Sequence, residues 1–543
     1  VTETRPGRLG RVLSGVAGAA GMLAAITVLS RAVGFVRWFV QSATLGDSAT
    51  ANAYSTANML PNVLFEVAAG GALAGAVVPL LAAPLARHLR ADVDKISSSL
   101  LTWTLLVLVP LGALVALLAG PIVALLPDSV GSDVTTQREL ATFFLRVFAI
   151  QIPLYGIGVV LTGILQAQRR FFLPAIAPLA SSVVVIATYL LFGLLSQGLA
   201  DDPERLSSAA LDWLAWGTTL GVAVMSLPLL LPVRRSGVRL RPALRFPEGV
   251  GRRALSLAAA GLGALLAQQI SVVVFLLLAR GGGVEGTITI WQYAQAVYFL
   301  PYAVLAVPVA TAVFPRLAEL AGSTDRRAFA TMAVGSTRAV LAASFVGAGV
   351  LGAVAPGVTA VFSLRGPMDG MTVAVTWLAP AVVGYALVFH VSRCLYSLDR
   401  GRAAVVATAA GWLTVSVVAA VLVSLTAPDG GDGPATLRSL ALGTTAGMTV
   451  AGVALLWALR LALGAGTSFG GLLRTLAVGT VAAAAGALVG RLVTDAVLGA
   501  VEPLLLSGLL ASAAGTLAAA AVAGLAVLAA DRGALRTTAW SGA

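Results

Sequence analysis

The chain has 543 residues, 58% of them hydrophobic and 11% charged, with a net charge of +12. A soluble domain carries roughly 25% charged residues, so this composition excludes a water-covered globule and makes lipid the main solvent. Nearly all the positive charge is arginine in short connectors between apolar runs, with no interleaved aromatic residues, which excludes a nucleic-acid binder.

A bilayer span needs about 20 mostly apolar residues. The sequence predicts an all-α polytopic membrane protein with about 14 transmembrane helices. The first lies near 13–45, behind Arg5, Arg8 and Arg11; it is too long for a signal-peptide core and reads as a retained span. The second, near 50–86, contains internal prolines and is expected to tilt or kink. Four more follow near 97–126, 138–167, 172–197 and 208–233, completing a first lobe over 1–233. The connector 234–253 carries seven arginines and marks a boundary. Six further spans, near 254–279, 286–315, 328–362, 371–398, 403–427 and 439–459, make a second lobe over 254–463. The remainder, 464–543, holds two spans near 475–498 and 503–530.

Proline pairs echo between the lobes. Leu60-Pro61 and Val78-Pro79 sit in the second span, Leu300-Pro301 and Phe314-Pro315 in the eighth. Repeated halves are a common transporter plan, with the substrate site between them. If the N-terminus is cytoplasmic, 24 of the 35 basic residues fall in inside connectors, five outside (Arg280 among them) and six in spans. The positive-inside rule then places both termini in the cytoplasm.

The usual catalytic and cofactor patterns are missing. Cys394 is the single cysteine, and His88 and His390 lack metal-ligand spacing. There is no phosphate-binding G-x-x-x-x-G-K-[ST] loop and no recognisable hydrolase centre. We therefore expect a transporter with no cofactor and no metal, rather than an enzyme.

The intramembrane polar residues carry more information. Arg146, Arg338, Arg393 and Arg491 lie near span ends, where long side chains reach the headgroups. Arg31 and Arg37, in "LSRAVGFVRW", lie deeper. A central arginine costs at least about 2.5–3.5 kcal/mol to insert, so it should face protein or water. Residues six apart on a helix are about 9 Å apart along the axis and about 120° around it. Such a pair fits one wide aqueous cavity, with Gly34 permitting a bend. The alternative is an ion pair with Glu66, alone in the second span. Gln268, Gln269 and Ser271, with Gln292, Tyr293 and Gln295, form a second polar patch that either lines the cavity or joins helices. Fixed positive charge in a low-dielectric wall selects anions, and the arginine fork suits phosphate.

The stretches "SRAVGFVRWFVQSATLG" and "ANAYSTANMLPNVLFEVAAGGALAGAVVPLLA" resemble the start of the MurJ (MviN) lipid II flippases. "QQIS", "FPRLAEL" and "SRCLYSLDRGRAA" are similar to later family segments. The resemblance implies two pseudo-symmetric six-helix lobes around a central cavity plus two C-terminal helices that help form a lipid-tail groove. It also implies membership of the multidrug/oligosaccharidyl-lipid/polysaccharide exporter superfamily. The implied role is moving the undecaprenyl-pyrophosphate-linked peptidoglycan precursor, lipid II, from the inner to the outer leaflet of the bacterial plasma membrane. Implied partners are lipid II, membrane lipids, and cell-wall synthesis and division proteins. By the motif, Arg31 and Arg37 with Ser30 and Gly34 would contact substrate; Asn52, Asn62, Glu66, Gln269, Gln292 and Gln295 are the further candidate substrate-binding residues. This sequence has Asn52 where family members often carry an acid, Phe65-Glu66 where they carry two arginines, Ala296 in place of an arginine, and Arg400 in place of an acid. Those departures keep open a related exporter of another polyprenyl-linked glycan, or a cation-coupled drug antiporter.

Overall fold

The structure is a computed structural model that describes residues 16–67, 74–131, 133–252, 254, 262–323, 325–464 and 468–535. Arg5, Arg8, Arg11, Arg253 and Arg536, and the Gly-Ala stretch at 68–73, lie outside the described residues. The described chain is helical, with one isolated bridge between Val130 and Val284.

The helices are α1 (Val16–Leu45), α2 (Ala49–Phe65), α3 (Ala74–Ala86), α4 (Arg90–Leu117), α5 (Val134–Phe148), α6 (Gln151–Ala167), α7 (Phe172–Ser196) and α8 (Ser208–Ser226). They continue with α9 (Leu262–Gly282), α10 (Thr287–Pro301), α11 (Val307–Ala321), α12 (Arg326–Phe362), α13 (Met371–Leu378) and α14 (Ala381–Ser397). The last four long helices are α15 (Gly401–Thr426), α16 (Gly433–Leu463), α17 (Gly470–Ala500) and α18 (Leu504–Ala530), with short helices at Ala119–Ala124, Leu230–Arg235 and Arg532–Leu535 besides. Eleven described segments are long and apolar enough to cross a membrane, or 12 if α13 and α14, bent by 46°, form one span. Of the expected second span, the described residues give α2 and α3, on either side of 68–73. The eighth is α10 and α11 joined by a π-turn at Tyr302–Ala306, directly after Pro301. Proline has no N–H for the helical ladder, and a wider turn absorbs the fault.

The chain forms two compact units. Of the described residues, unit 1 takes those up to Thr44, then Ala57–Ala124 and Arg138–Leu262; unit 2 takes Leu45–Thr56, Leu125–Gln137 and those from Gly263 on. Both units repeat one local design. The break between α5 and α6 and that between α13 and α14 match position for position: Phe148 and Leu378, Gln151 and Ala381, and Ala167 and Ser397 are each 230 residues apart. The helix ends match too. Arg169 (φ 60°) and Asp399 (φ 57°) adopt the left-handed conformation. The next N–H closes each end, Arg170 to the Leu165 carbonyl at 2.8 Å and Arg400 to the Leu395 carbonyl at 2.9 Å, as in a Schellman motif.

Unit 1 has an apolar core that includes Val77, Leu81, Ile96, Leu161, Ile164 and Val233. Its basic connector is not a free loop. Residues 239–245 run extended along α4. The Arg239 N–H donates to Asp94 (2.9 Å), Arg241 N–H to Ser98 Oγ (3.0 Å) and Ala243 N–H to Thr102 Oγ1 (3.0 Å). Trp103 Nε1 donates to the Leu244 carbonyl (3.0 Å), and Ser99 Oγ to the Arg245 carbonyl (3.1 Å). The register follows from geometry. Two extended residues advance about 6.6 Å, and four helical residues about 6 Å, so alternate strap residues meet successive turns.

In unit 2, α17 and α18 pack on α12 and on each other through small residues. Gly490 lies against Ala353 of α12 and against Ala519 and the Gly515 carbonyl of α18, so a Cβ there has no room. Close backbone approach through small residues is how helices associate in lipid, where apolar burial gives little drive. The two C-terminal helices thus belong to unit 2.

Candidate functional site

Unit 1 carries the two deep arginines. α1 is helical without interruption from Val16 to Leu45, through Gly34, so no break accompanies the glycine. What Gly34 supplies is space: no atom lies within 4 Å of where its Cβ would stand. Ser30 Oγ donates to the Ala175 carbonyl of α7 at 3.4 Å, tying α1 to its neighbour just before the first arginine. Arg31 is exposed, and Arg37 is half-buried with its guanidinium 4.9 Å from the Trp38 ring. Among the described residues no carboxylate lies within 4 Å of either arginine. Glu66, exposed in the π-turn that ends α2, makes no ion pair with either. The alternative reading, an Arg–Glu66 ion pair, is therefore not formed among the described residues.

Phe65, where the resemblance implies an arginine, stacks on Tyr155 within unit 1 with ring centroids 4.4 Å apart. Asn62 is half-buried on α2, one turn earlier.

Unit 2 holds the rest of the expected set. Asn52 is 1% exposed, and its Nδ2 donates to Gln137 Oε1 at 3.4 Å, while Gln137 Nε2 donates to the Ala49 carbonyl at 2.8 Å. Gln292 Nε2 donates to the Ser55 carbonyl at 3.4 Å. Thr289 Oγ1 donates to the Ala51 carbonyl at 3.2 Å and lies 3.1 Å from Ser55 Oγ. Tyr293 donates its hydroxyl to the Gly46 carbonyl at 2.8 Å. Gln269 is buried and Gln295 half-buried. Ser271 Oγ donates to the Trp412 carbonyl at 2.7 Å. Gln137, paired with Asn52, and Gln292 thus hold the 45–56 segment, while Ser30, Arg31, Gly34, Arg37, Asn62 and Glu66 belong to unit 1.

Sequence reasoning missed two charged groups. Arg280, assigned to an outside connector, ends α9 at only 3% exposure, with Nε 2.8 Å from the Pro127 carbonyl and Nη1 3.3 Å from Thr56 Oγ1. Arg338, read as reaching the headgroups, instead pairs with buried Asp531 at 2.5 Å. Asp531 also accepts a very short bond from Thr475. Its signal in the sequence was slight, a lone acid directly after a long apolar run. Arg393 stacks 3.7 Å from the centre of the Phe389 ring, and Arg491 pairs with Asp495 at 3.1 Å. Among the described residues no group of His, Cys, Asp and Glu could hold a metal ion.

This architecture has counterparts. A solved structure described as lipid II flippase MurJ in an inward closed conformation aligns with a TM-score of 0.71 at 17% identity, covering 93% of this chain and 98% of that one. An inward-facing multidrug resistance MATE family transporter of the MOP superfamily aligns with a TM-score of 0.63 at 16% identity, covering 81% and 97%. At those identities the likeness is one of fold. In sequence, a probable lipid II flippase MurJ of Rhizobium meliloti is 27% identical over 300 residues, 54% of this chain and 53% of that protein. A lipid II flippase MurJ of Burkholderia cenocepacia is 26% identical over 374 residues, 67% and 68% of the two chains. The chain thus spans about half the length of the Rhizobium meliloti relative and about two thirds of the Burkholderia one. A family model described as Lipid II flippase MurJ matches residues 41–508, so Arg31 and Arg37 lie just ahead of the matched segment. Because that match takes in most of its length, this all-helical multi-pass membrane chain belongs to the MurJ lipid II flippase family.

Proposed function

We propose that the protein moves lipid II from the inner to the outer leaflet of the bacterial plasma membrane, with both termini cytoplasmic. The observation that carries this reading is Arg31 and Arg37 on α1, which meet no carboxylate among the described residues and have open space beside Gly34 between them. A permanent cation in an apolar setting that lacks an acid partner is set to take an anion from outside the protein. A pyrophosphate offers several oxygens, and each guanidinium can donate two parallel hydrogen bonds. Ser30 and Gly34 would position the helix face, and Asn62 and Glu66 would border it on α2.

The mechanism follows from charge and solvent. The pyrophosphate with its disaccharide-peptide leaves cytoplasmic water for the arginine wall, while the polyprenyl tail stays in lipid. Only the polar head then needs an aqueous route, and rocking of two repeated halves would expose that route to each side in turn. Asn52, Gln292 and their partners in unit 2 would hold the 45–56 segment, into which α1 leads, during one part of the cycle. Gln269 and Gln295 would meet the uncharged sugars. In this reading the protein breaks no covalent bond and uses no cofactor. Cell-wall synthesis and division proteins would supply and consume the substrate.

The test is complementation of a strain depleted of its flippase, with leaflet-specific labelling of lipid II. Arg31→Ala and Arg37→Ala should each lower outer-leaflet lipid II about tenfold or more, the loss expected when a charge-assisted contact is removed. Full flipping by both variants overturns the arginine site. Normal growth without lipid II transport, together with export of another polyprenyl-linked glycan, would make that glycan the substrate.

A further inference from the structure

The connector between α6 and α7 in unit 1 has a feature that substrate transport does not use. Residues 169–173 read Arg-Arg-Phe-Phe-Leu, and Phe171, Phe172 and Leu173 are 43%, 45% and 44% exposed. Three large apolar side chains directly after two exposed arginines form a boundary between headgroups and hydrocarbon. The three line a cavity of about 350 Å³ with Met22, and Arg169 and Arg170 stand on its wall. A second cavity, of about 380 Å³, flanks the same connector and includes Arg90, Arg235, His88 and Gln168. One short stretch thus faces both: Arg169 the apolar cavity and Gln168 the polar one. Pro232 and Arg235, one turn apart in the short helix Leu230–Arg235, do the same.

The polar cavity is built for an anion that also bears hydroxyls. Arg90 and Arg235 supply positive charge. Asp94, also in its wall, is engaged by the Arg239 N–H at 2.9 Å. The Gln168 side-chain oxygen is buried and has no hydrogen-bond partner among the described residues. Such a group costs free energy until a donor reaches it. Basic pockets between helices at the membrane surface take acidic lipid headgroups, and the adjoining apolar cavity suits an acyl chain.

We propose that this paired cavity binds one anionic glycerophospholipid. The phosphodiester sits among Arg90, Arg169, Arg170 and Arg235, a headgroup hydroxyl donates to Gln168, and one acyl chain lies against Met22, Phe171 and Phe172. The lipid is a bound ligand of unit 1 and is not transported, so the site stands whatever the flippase carries.

The test uses the purified full chain, stripped of lipid in detergent, with lipid bound per chain measured by native mass spectrometry. Phosphatidylglycerol should bind at one per chain and about tenfold more tightly than phosphatidylcholine of the same chains. Arg169→Gln, Arg170→Gln and Arg235→Gln together should abolish that preference. A control variant of equal charge, Arg326→Gln, Arg327→Gln and Arg402→Gln in unit 2, should keep it. Equal binding of the two lipids, equal loss in both variants, or no loss in either overturns the site. Glycerophosphoglycerol, the same headgroup without chains, should fail to compete. Competition at matched concentration would make the polar cavity a site for soluble phosphate esters and overturn the lipid assignment.

Discussion

Arg31 and Arg37 show how a residue's chemistry is legible before its surroundings are. Their place in a long apolar run follows from counting neighbours, and that they meet no carboxylate among the described residues follows only from the coordinates. Phe65 is the opposite case. As a letter it is a missing charge; in space it is a ring stacked on Tyr155. Arg338 and Asp531 lie 193 residues apart, beyond any local pattern, and form an ion pair whose acid is buried and whose arginine is partly exposed. Breaking such a pair leaves one uncompensated charge and costs about 3 kcal/mol or more. Asp531→Asn should therefore lower the thermal midpoint in detergent markedly. The double change Arg338→Met with Asp531→Leu should recover much of the loss, because it removes both charges. A midpoint unchanged in Asp531→Asn would show that the pair contributes little.

Among the elements, the strap 239–245 adds what its reading as an arginine-rich boundary did not contain: its backbone N–H groups are bound by Asp94, Ser98 and Thr102 of α4. Those acceptors recur every four residues, but only a docked strap gives the spacing a meaning. Removing them with Ser98→Ala and Thr102→Val should raise the rate of tryptic cleavage at Arg239 and Arg241 several-fold, because local opening limits access. Identical digestion of the variant and the parent would show that the strap is held by other contacts. The start of α5 is governed by Asp133. The Thr136 hydroxyl (2.9 Å) and the Thr135 N–H (3.0 Å) both donate to its carboxylate and hold its pKa below the ordinary value. A lowered folded pKa means that the cap's contribution is complete above the usual carboxylate range and is lost as pH falls through the lower value. Amide exchange at the first turn of α5 should accelerate as pH is lowered from roughly 5 to 2, beyond the intrinsic trend. In Asp133→Asn that extra acceleration should be absent.

For the whole molecule, the 230-residue register between the α5–α6 and α13–α14 breaks is stronger evidence of repeated halves than the proline echo. On the proposed function, water must reach Arg31 and Arg37 in at least one state. Gly34→Cys should react with a membrane-impermeant maleimide, because open space surrounds that position. Cys394 is buried and should stay unlabelled, so the native background suffices. Excess lipid II should slow the labelling. An unreactive Gly34→Cys would mean that the arginine wall faces lipid or protein rather than water.

By itself the sequence determined that the chain is a helical, multi-pass membrane protein, because apolar runs in lipid must satisfy their backbone groups internally and helices do so. It also placed two permanent cations inside the first long apolar run, since hydropathy is a local property. Tertiary structure decided where the remaining polar groups act. Asn52 bonds Gln137, Gln292 bonds the Ser55 carbonyl, Arg280 is buried at the end of α9, and Arg338 finds Asp531. Each of those outcomes depends on a partner distant in sequence. A buried polar atom takes whichever partner folding brings within hydrogen-bond reach, and no local spacing encodes that choice.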